Sequence, residues 1–267
     1  MKEKYDLLDK IRGDAFGIIY KAKLKNTDEL REIKIINKQK FIDLSKEYVD
    51  QLCLNNLENM TICCQNNINS VKLYEYFNTE NELVCVMELV DENLEQFLKK
   101  RSQGLNPQEI LGILKQLNNT FKIMVNNLIV HRDLKLGNIF IKYKNNEKTE
   151  YIIKLGNYDI STRLTSLNEK IDIIAGSPRY MAPEIKAEDS YDGKCDLWSL
   201  GVLIYLLLFK ESPIKQIAKA SSIEKFDQKS LKASGNELLD DLIKKLLEKD
   251  PRKRITWEQY FEHPFFK

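Results

Sequence analysis

The sequence has little that would tie it to an oxidising compartment or a membrane. Its five cysteines, at 53, 63, 64, 85 and 195, are odd in number and contain no C-x-x-C pair. That argues against a disulfide framework and against a zinc site. A reducing, cytoplasmic setting is the expectation, with the nucleus left open. No charge of one sign dominates: 42 Lys and Arg against 40 Asp and Glu leave a net +2. Neither nucleic acid nor a membrane surface is therefore an expected partner. Met1-Lys2-Glu3-Lys4 runs into further charged residues rather than a long apolar stretch, so no secretory signal is expected. The most apolar run, residues 200–209, is about three helical turns, well short of the roughly 20 residues a membrane span needs. It reads as a buried core helix. No internal repeat or flexible linker interrupts the chain.

What is present is ordinary globular composition, 43% hydrophobic and 31% charged over 267 residues. That is enough chain for two lobes sharing one deep cleft. Residues 1 to about 88 read mostly as strands. Residues 5–11 and 18–22 flank a short Gly-containing turn, residues 30–37 alternate as a half-buried strand does, and 71–76 and 82–88 are two more strands. Between them, residues 44–63 carry apolar positions at helical spacing. After Val90 the period changes to 3.6. Asn106-Pro107-Gln108-Glu109 is a helix start, with Pro at the first helical position, and that helix runs to about residue 126. Short strands follow at 139–142 and 152–155, then helices near 183–187, 194–209, 236–247 and 256–261. Strands first and helices afterwards predict an α+β fold of two lobes, changing over near residue 90.

The chemistry-bearing motifs come in a fixed order. Lys34 lies in Arg31-Glu32-Ile33-Lys34, and Glu58 precedes Val71-Lys72-Leu73-Tyr74 by thirteen residues. Met87-Glu88-Leu89 ends a strand. His131-Arg132-Asp133-Leu134-Lys135-Leu136-Gly137-Asn138 is followed nineteen residues later by Asn157-Tyr158-Asp159. Gly176-Ser177-Pro178-Arg179-Tyr180-Met181-Ala182-Pro183-Glu184, Asp196-Leu197-Trp198 and Arg254 complete the series. Together these resemble a eukaryotic-type Ser/Thr protein kinase domain, nearly end to end. The resemblance implies one domain over 1–267, with an N-lobe at about 1–88, a hinge at about 88–91 and a C-lobe at about 92–267.

It also implies roles. Asp133 would accept the substrate hydroxyl proton and Lys135 would steady the transferring group. Asn138 would hold magnesium, and Asn157 stands where a second metal ligand belongs. Lys34, anchored by Glu58, would pair the α- and β-phosphates. Ile11, Gly17, Ile19, Met87, Glu88, Leu89 and Phe140 would line the nucleotide pocket, with Met87 gating its back. His131, Arg132, Asp196 and the Glu184–Arg254 pair would hold the fold. ATP and magnesium would be the cofactors of an active enzyme, and a protein would be its substrate or partner.

Three departures fall on the nucleotide. The phosphate-covering loop reads Arg12-Gly13-Asp14-Ala15-Phe16-Gly17, so Arg12 and Asp14 stand where the family keeps glycines that let backbone approach phosphate. A one-residue slip could give Gly13 a family role. Asp14 adds a like charge beside a triphosphate, which Arg12 could partly offset. Glu32 stands where the family keeps Ala in the apolar roof over adenine. A buried unpaired carboxylate costs several kcal/mol, so it must turn outward, find a cation or fill the nucleotide's place. Asn157 replaces the metal-binding Asp with a neutral amide, a poorer magnesium ligand, and Asp159 replaces a Gly. Side chains two apart rarely point the same way, so rescue by Asp159 is not the expectation. The usual activation phosphosite is Ile173, leaving Arg132 to pair with Asp172 or Glu169, or with phosphate on Ser161, Thr162, Thr165 or Ser166. Two readings follow. One is a kinase-like domain with impaired or absent transfer, working by protein contact or allostery. The other is an active Ser/Thr kinase. A different ligand in the old pocket is a third.

Overall fold

The computed structural model describes residues 1–13, 17–41, 45–166, 169–187, 190–214 and 226–267. Asp14, one of the anomalous residues, lies outside them, as does most of the weakly patterned stretch after residue 214. The chain divides into two compact units, one of Met1–Asp91 with Phe140–Asp159, the other of Glu92–Ile139 with Ile160–Lys267. The first crossing between the units falls between Asp91 and Glu92. Residues 140–159, assigned to the second lobe on sequence, join the first unit.

The first unit is built on a five-stranded antiparallel sheet of β1 (Tyr5–Gly13), β2 (Gly17–Leu24), β3 (Leu30–Asn37), β4 (Leu73–Asn78) and β5 (Glu82–Glu88), in the order β1-β2-β3-β5-β4. Tyr5, Ala22, Ile33, Val84 and Val86 form its core, as the period-2 alternation requires. Gly17 is needed where it stands, because a Cβ there would lie 2.4 Å from the Ile35 carbonyl oxygen. The β1–β2 register slips between Lys10 and Arg12, a bulge that re-aims the side chains beside it. Helix α1 (Lys46–Cys64) starts at Ser45, whose hydroxyl accepts from the Tyr48 N–H. Strands Ile139–Tyr143 and Tyr151–Leu155 pair with each other. They are tied into this unit by Val71 N–H to Leu155 O (2.8 Å) and Asp91 N–H to Ile141 O (3.0 Å).

The second unit is mainly helical, with α2 (Leu94–Lys99), α3 (Pro107–Asn126), α4 (Pro183–Lys186), α5 (Cys195–Phe209), α6 (Glu237–Leu246) and α7 (Trp257–Phe261). The predicted start of α3 is a full capping box between Asn106 and Glu109, with Pro107 in the first turn. Its Ile110, Ile113, Leu114, Leu117 and Phe121 are buried at helical spacing. The apolar run reads correctly as core: α5 is buried from Cys195 through Leu208. Among the described residues no helix is long and apolar enough to cross a membrane.

Candidate functional site

Glu32 points into the first unit. The sheet register sets it opposite Lys21 on β2 and Met87 on β5, and it is only 2% exposed. Arg12 grips its carboxylate with both terminal nitrogens, at 2.6 and 3.2 Å. Burial raises the pKa of Glu32, while the Arg12 charge and its hydrogen bonds, the Val90 N–H and Lys142 oppose the rise. The Arg12 guanidinium also sits 5.2 Å from the centre of the Phe140 ring, in cation–π range. Of the three fates open to Glu32, it has taken a cationic partner. That partner is Arg12, which sequence reasoning had assigned to offsetting Asp14. The signal was available: two charges of opposite sign replaced two neutral residues on strands of one sheet.

Lys34 is 3% exposed. Its ammonium donates to Asn157 Oδ1 at 3.2 Å and forms an ion pair with Asp159. The two side chains, two residues apart, thus meet one cation, contrary to the expectation that they diverge. The cause is local. Asn157 has φ 66°, a left-handed conformation that Asn tolerates better than most residues and that folds the segment back. Glu58 occupies an exposed position on α1, and the helix meets this segment through Asn56, whose amide donates to the Asp159 carbonyl.

The other predicted pocket residues scatter more. Ile19, Met87 and Phe140 are buried, while Ile11, at the bulge, is 40% exposed. Glu88 is held by Lys154 at 3.0 Å, and the Leu89 carbonyl accepts from Lys142 at 3.0 Å.

The second unit brings the residues expected to form a catalytic loop into a closed network. Ser177 Oγ donates to Asp133 Oδ1 at 2.7 Å, and Lys135 Nζ donates to Ser177 Oγ at 2.8 Å. Lys135 lies 2.8 Å from Asp133 Oδ2, and the Asn138 amide donates to the same oxygen at 2.9 Å. Asp196 shapes the loop by accepting from the His131 and Arg132 N–H groups at 2.7 and 2.9 Å. Burial pushes its carboxyl up to about 7, against those two N–H groups and Arg132. Gly176, at φ 120°, passes so close to the Arg132 carbonyl that a Cβ would lie 2.5 Å from it. Glu184 and Arg254 form a two-pronged ion pair at 2.6 and 2.9 Å, with Arg254 fully buried.

A family model described as the protein kinase domain matches residues 5–266. The chain belongs to the protein kinase domain family. Similar proteins include serine/threonine-protein kinase PLK4 of Nematostella vectensis, 28% identical over 98% of this chain and 26% of that protein. Another is serine/threonine-protein kinase atg1 of Dictyostelium discoideum, 29% identical over 96% and 38%. A third is the putative serine/threonine-protein kinase R517/R518 of Acanthamoeba polyphaga mimivirus, 28% identical over 100% and 64%. The chain spans less than two thirds of the length of each.

For this kinase domain, magnesium is a poor fit to what the first unit offers. Its donors are the neutral amide oxygen of Asn157 and the Asp159 carboxylate already held by Lys34, whereas the ion prefers hard anionic oxygens. The activation segment also departs from expectation. Arg132 Nε donates to the Ile160 carbonyl at 2.5 Å. Glu169 accepts instead from the Thr165 N–H and hydroxyl. Ser161 is 2% exposed, which removes it from the candidate phosphosites.

Proposed function

We propose that this protein kinase domain transfers phosphate weakly or not at all and acts through non-covalent contacts with a protein partner. The observation that carries the reading is Glu32, buried and gripped by Arg12. A carboxylate and a guanidinium fill the position where the resemblance calls for an apolar roof over adenine, and the guanidinium covers Phe140, the expected floor.

One observation favours a second reading, an active Ser/Thr kinase using ATP and magnesium. Asp133 already orients a hydroxyl, that of Ser177, with Lys135 and Asn138 beside it, as a base for phosphoryl transfer requires. A thermal-shift titration with ATP, alone and with Mg²⁺ or Mn²⁺, separates the two. The first reading expects no shift in any condition. A metal-dependent shift, with phosphorylation of a generic Ser/Thr substrate that disappears in Asp133→Asn, would overturn it.

A further inference from the structure

The residues that close the pocket also define what it selects. Glu32 presents a buried carboxylate facing two nitrogens of one planar cation, with both nitrogens within hydrogen-bond distance. The same cation lies over the Phe140 ring, 5.2 Å from its centre. Ile19 on the neighbouring strand, on the same face of the sheet, is buried and apolar. A carboxylate that takes a forked donor, with an aromatic face beside it, is guanidinium chemistry. Adenine is neutral and presents ring acceptors as well as donors, so it leaves a buried carboxylate without a counter-charge.

We propose that the pocket beside β3 is a binding site for a planar cation, a guanidinium or amidinium, and that Arg12 is its resident intramolecular occupant. The structure's own evidence for the ligand class is the seated Arg12 side chain, 32% exposed, on a carboxylate that is 2% exposed. The inward, buried carboxylate is the fixed part and the partly exposed arginine is the replaceable one. The ligand from outside is either a small guanidine or amidine, or an arginine side chain of a partner protein. This rests on the reading that adenine has lost its place here, and it adds a specificity that the reading does not require.

The test removes the occupant and offers a substitute. Arg12→Ala is titrated with benzamidine, with agmatine, with a short blocked arginine peptide, with benzylamine and with adenosine, following the melting temperature and binding heat. Benzamidine and agmatine are expected to raise the melting temperature of Arg12→Ala and to leave wild type unmoved. Benzylamine, a cation without the planar fork, is expected to bind about tenfold more weakly or worse, the cost of one charge-assisted hydrogen bond. Adenosine is expected to give no shift. Arg12→Ala/Glu32→Gln is expected to lose the response. Binding of the peptide as well as agmatine assigns the site to a protein's arginine, and binding of agmatine alone assigns it to a small molecule. The idea is overturned if benzamidine and agmatine leave Arg12→Ala unmoved, if Glu32→Gln does not weaken them, or if adenosine binds as well. Arg12→Met, which keeps an apolar side chain on Phe140, covers the case in which Arg12→Ala does not fold. Rescue of either variant's folding by benzamidine supports the site, and failure of both to fold in its presence overturns it. ATP binding by wild type would sink the reading of function, whereas these outcomes in Arg12 variants bear on the cation site alone.

Discussion

The ammonium of Lys34 and the carboxylate of Asp159 form an ion pair in the interior of the first unit, 4% and 14% exposed. Asn157 meets the same ammonium through its amide oxygen. The negative charge expected two residues earlier has therefore not left the neighbourhood but moved along the chain. Asp159→Asn removes that anionic partner. Breaking a buried pair from one side costs about 3–5 kcal/mol, and Asp159's partial exposure brings the expectation to about 2–4 kcal/mol. Urea unfolding checks it. The same substitution in a Lys34→Met background is expected to cost markedly less, and equal costs in the two backgrounds would show that the pair contributes nothing.

The fold was legible because its signals are local and repeated. The Asn106–Glu109 capping box, the apolar stripe of α3 and the apolar length of α5 each specify an element without help from distant residues. The second-unit residues were legible for the same reason, since Asp133, Lys135 and Asn138 lie within one short loop. The first-unit site was not, because its contacts cross strands. Arg12 and Glu32 are twenty residues apart, and their meeting depends on β1–β2–β3 register and on the bulge before Arg12. The convergence of Asn157 and Asp159 depends on one left-handed residue, which spacing alone does not reveal.

Glu32 gives a pH dependence whose sign is fixed. Its folded pKa is raised above the ordinary 4.5, so the folded state holds the proton more tightly than the unfolded chain. Its contribution favours folding most below 4.5 and is lost as pH rises through the raised value. Arg12→Ala removes the largest influence holding that value down and raises it further. The stability deficit of Arg12→Ala relative to wild type is therefore expected to be smallest below the ordinary carboxylate value and to widen as pH rises above it. Urea unfolding across that range measures it, and a deficit independent of pH would separate Arg12 from the ionisation of Glu32.

The Glu184–Arg254 pair tests stability far from any ligand question. Arg254 is fully buried, and it also donates to the Glu248 and Lys194 carbonyls at 2.9 and 3.1 Å. Arg254→Met leaves the Glu184 carboxylate without its guanidinium and is expected to cost about 3–5 kcal/mol. Chemical denaturation reads this directly. A loss under about 1 kcal/mol would place the pair among the weak surface contacts instead.

The two closures in the first unit can be ranked by restoring each to the family pattern. Asn157→Asp/Asp159→Gly returns the carboxylate to the metal position and leaves Lys34 a partner nearby. Arg12→Gly/Glu32→Ala returns the glycine and the apolar roof. Adenine contact depends on a pocket free of the Arg12–Glu32 pair, and magnesium can only strengthen a nucleotide that has entered. The metal pair of substitutions alone is therefore expected to give no thermal shift with Mg²⁺ and ATP. The pocket pair alone is expected to give a weak shift insensitive to metal, and all four together a metal-dependent one. A full metal-dependent shift from Asn157→Asp/Asp159→Gly alone would show that the missing metal carboxylate, and not the buried Arg12–Glu32 pair, is what keeps nucleotide out.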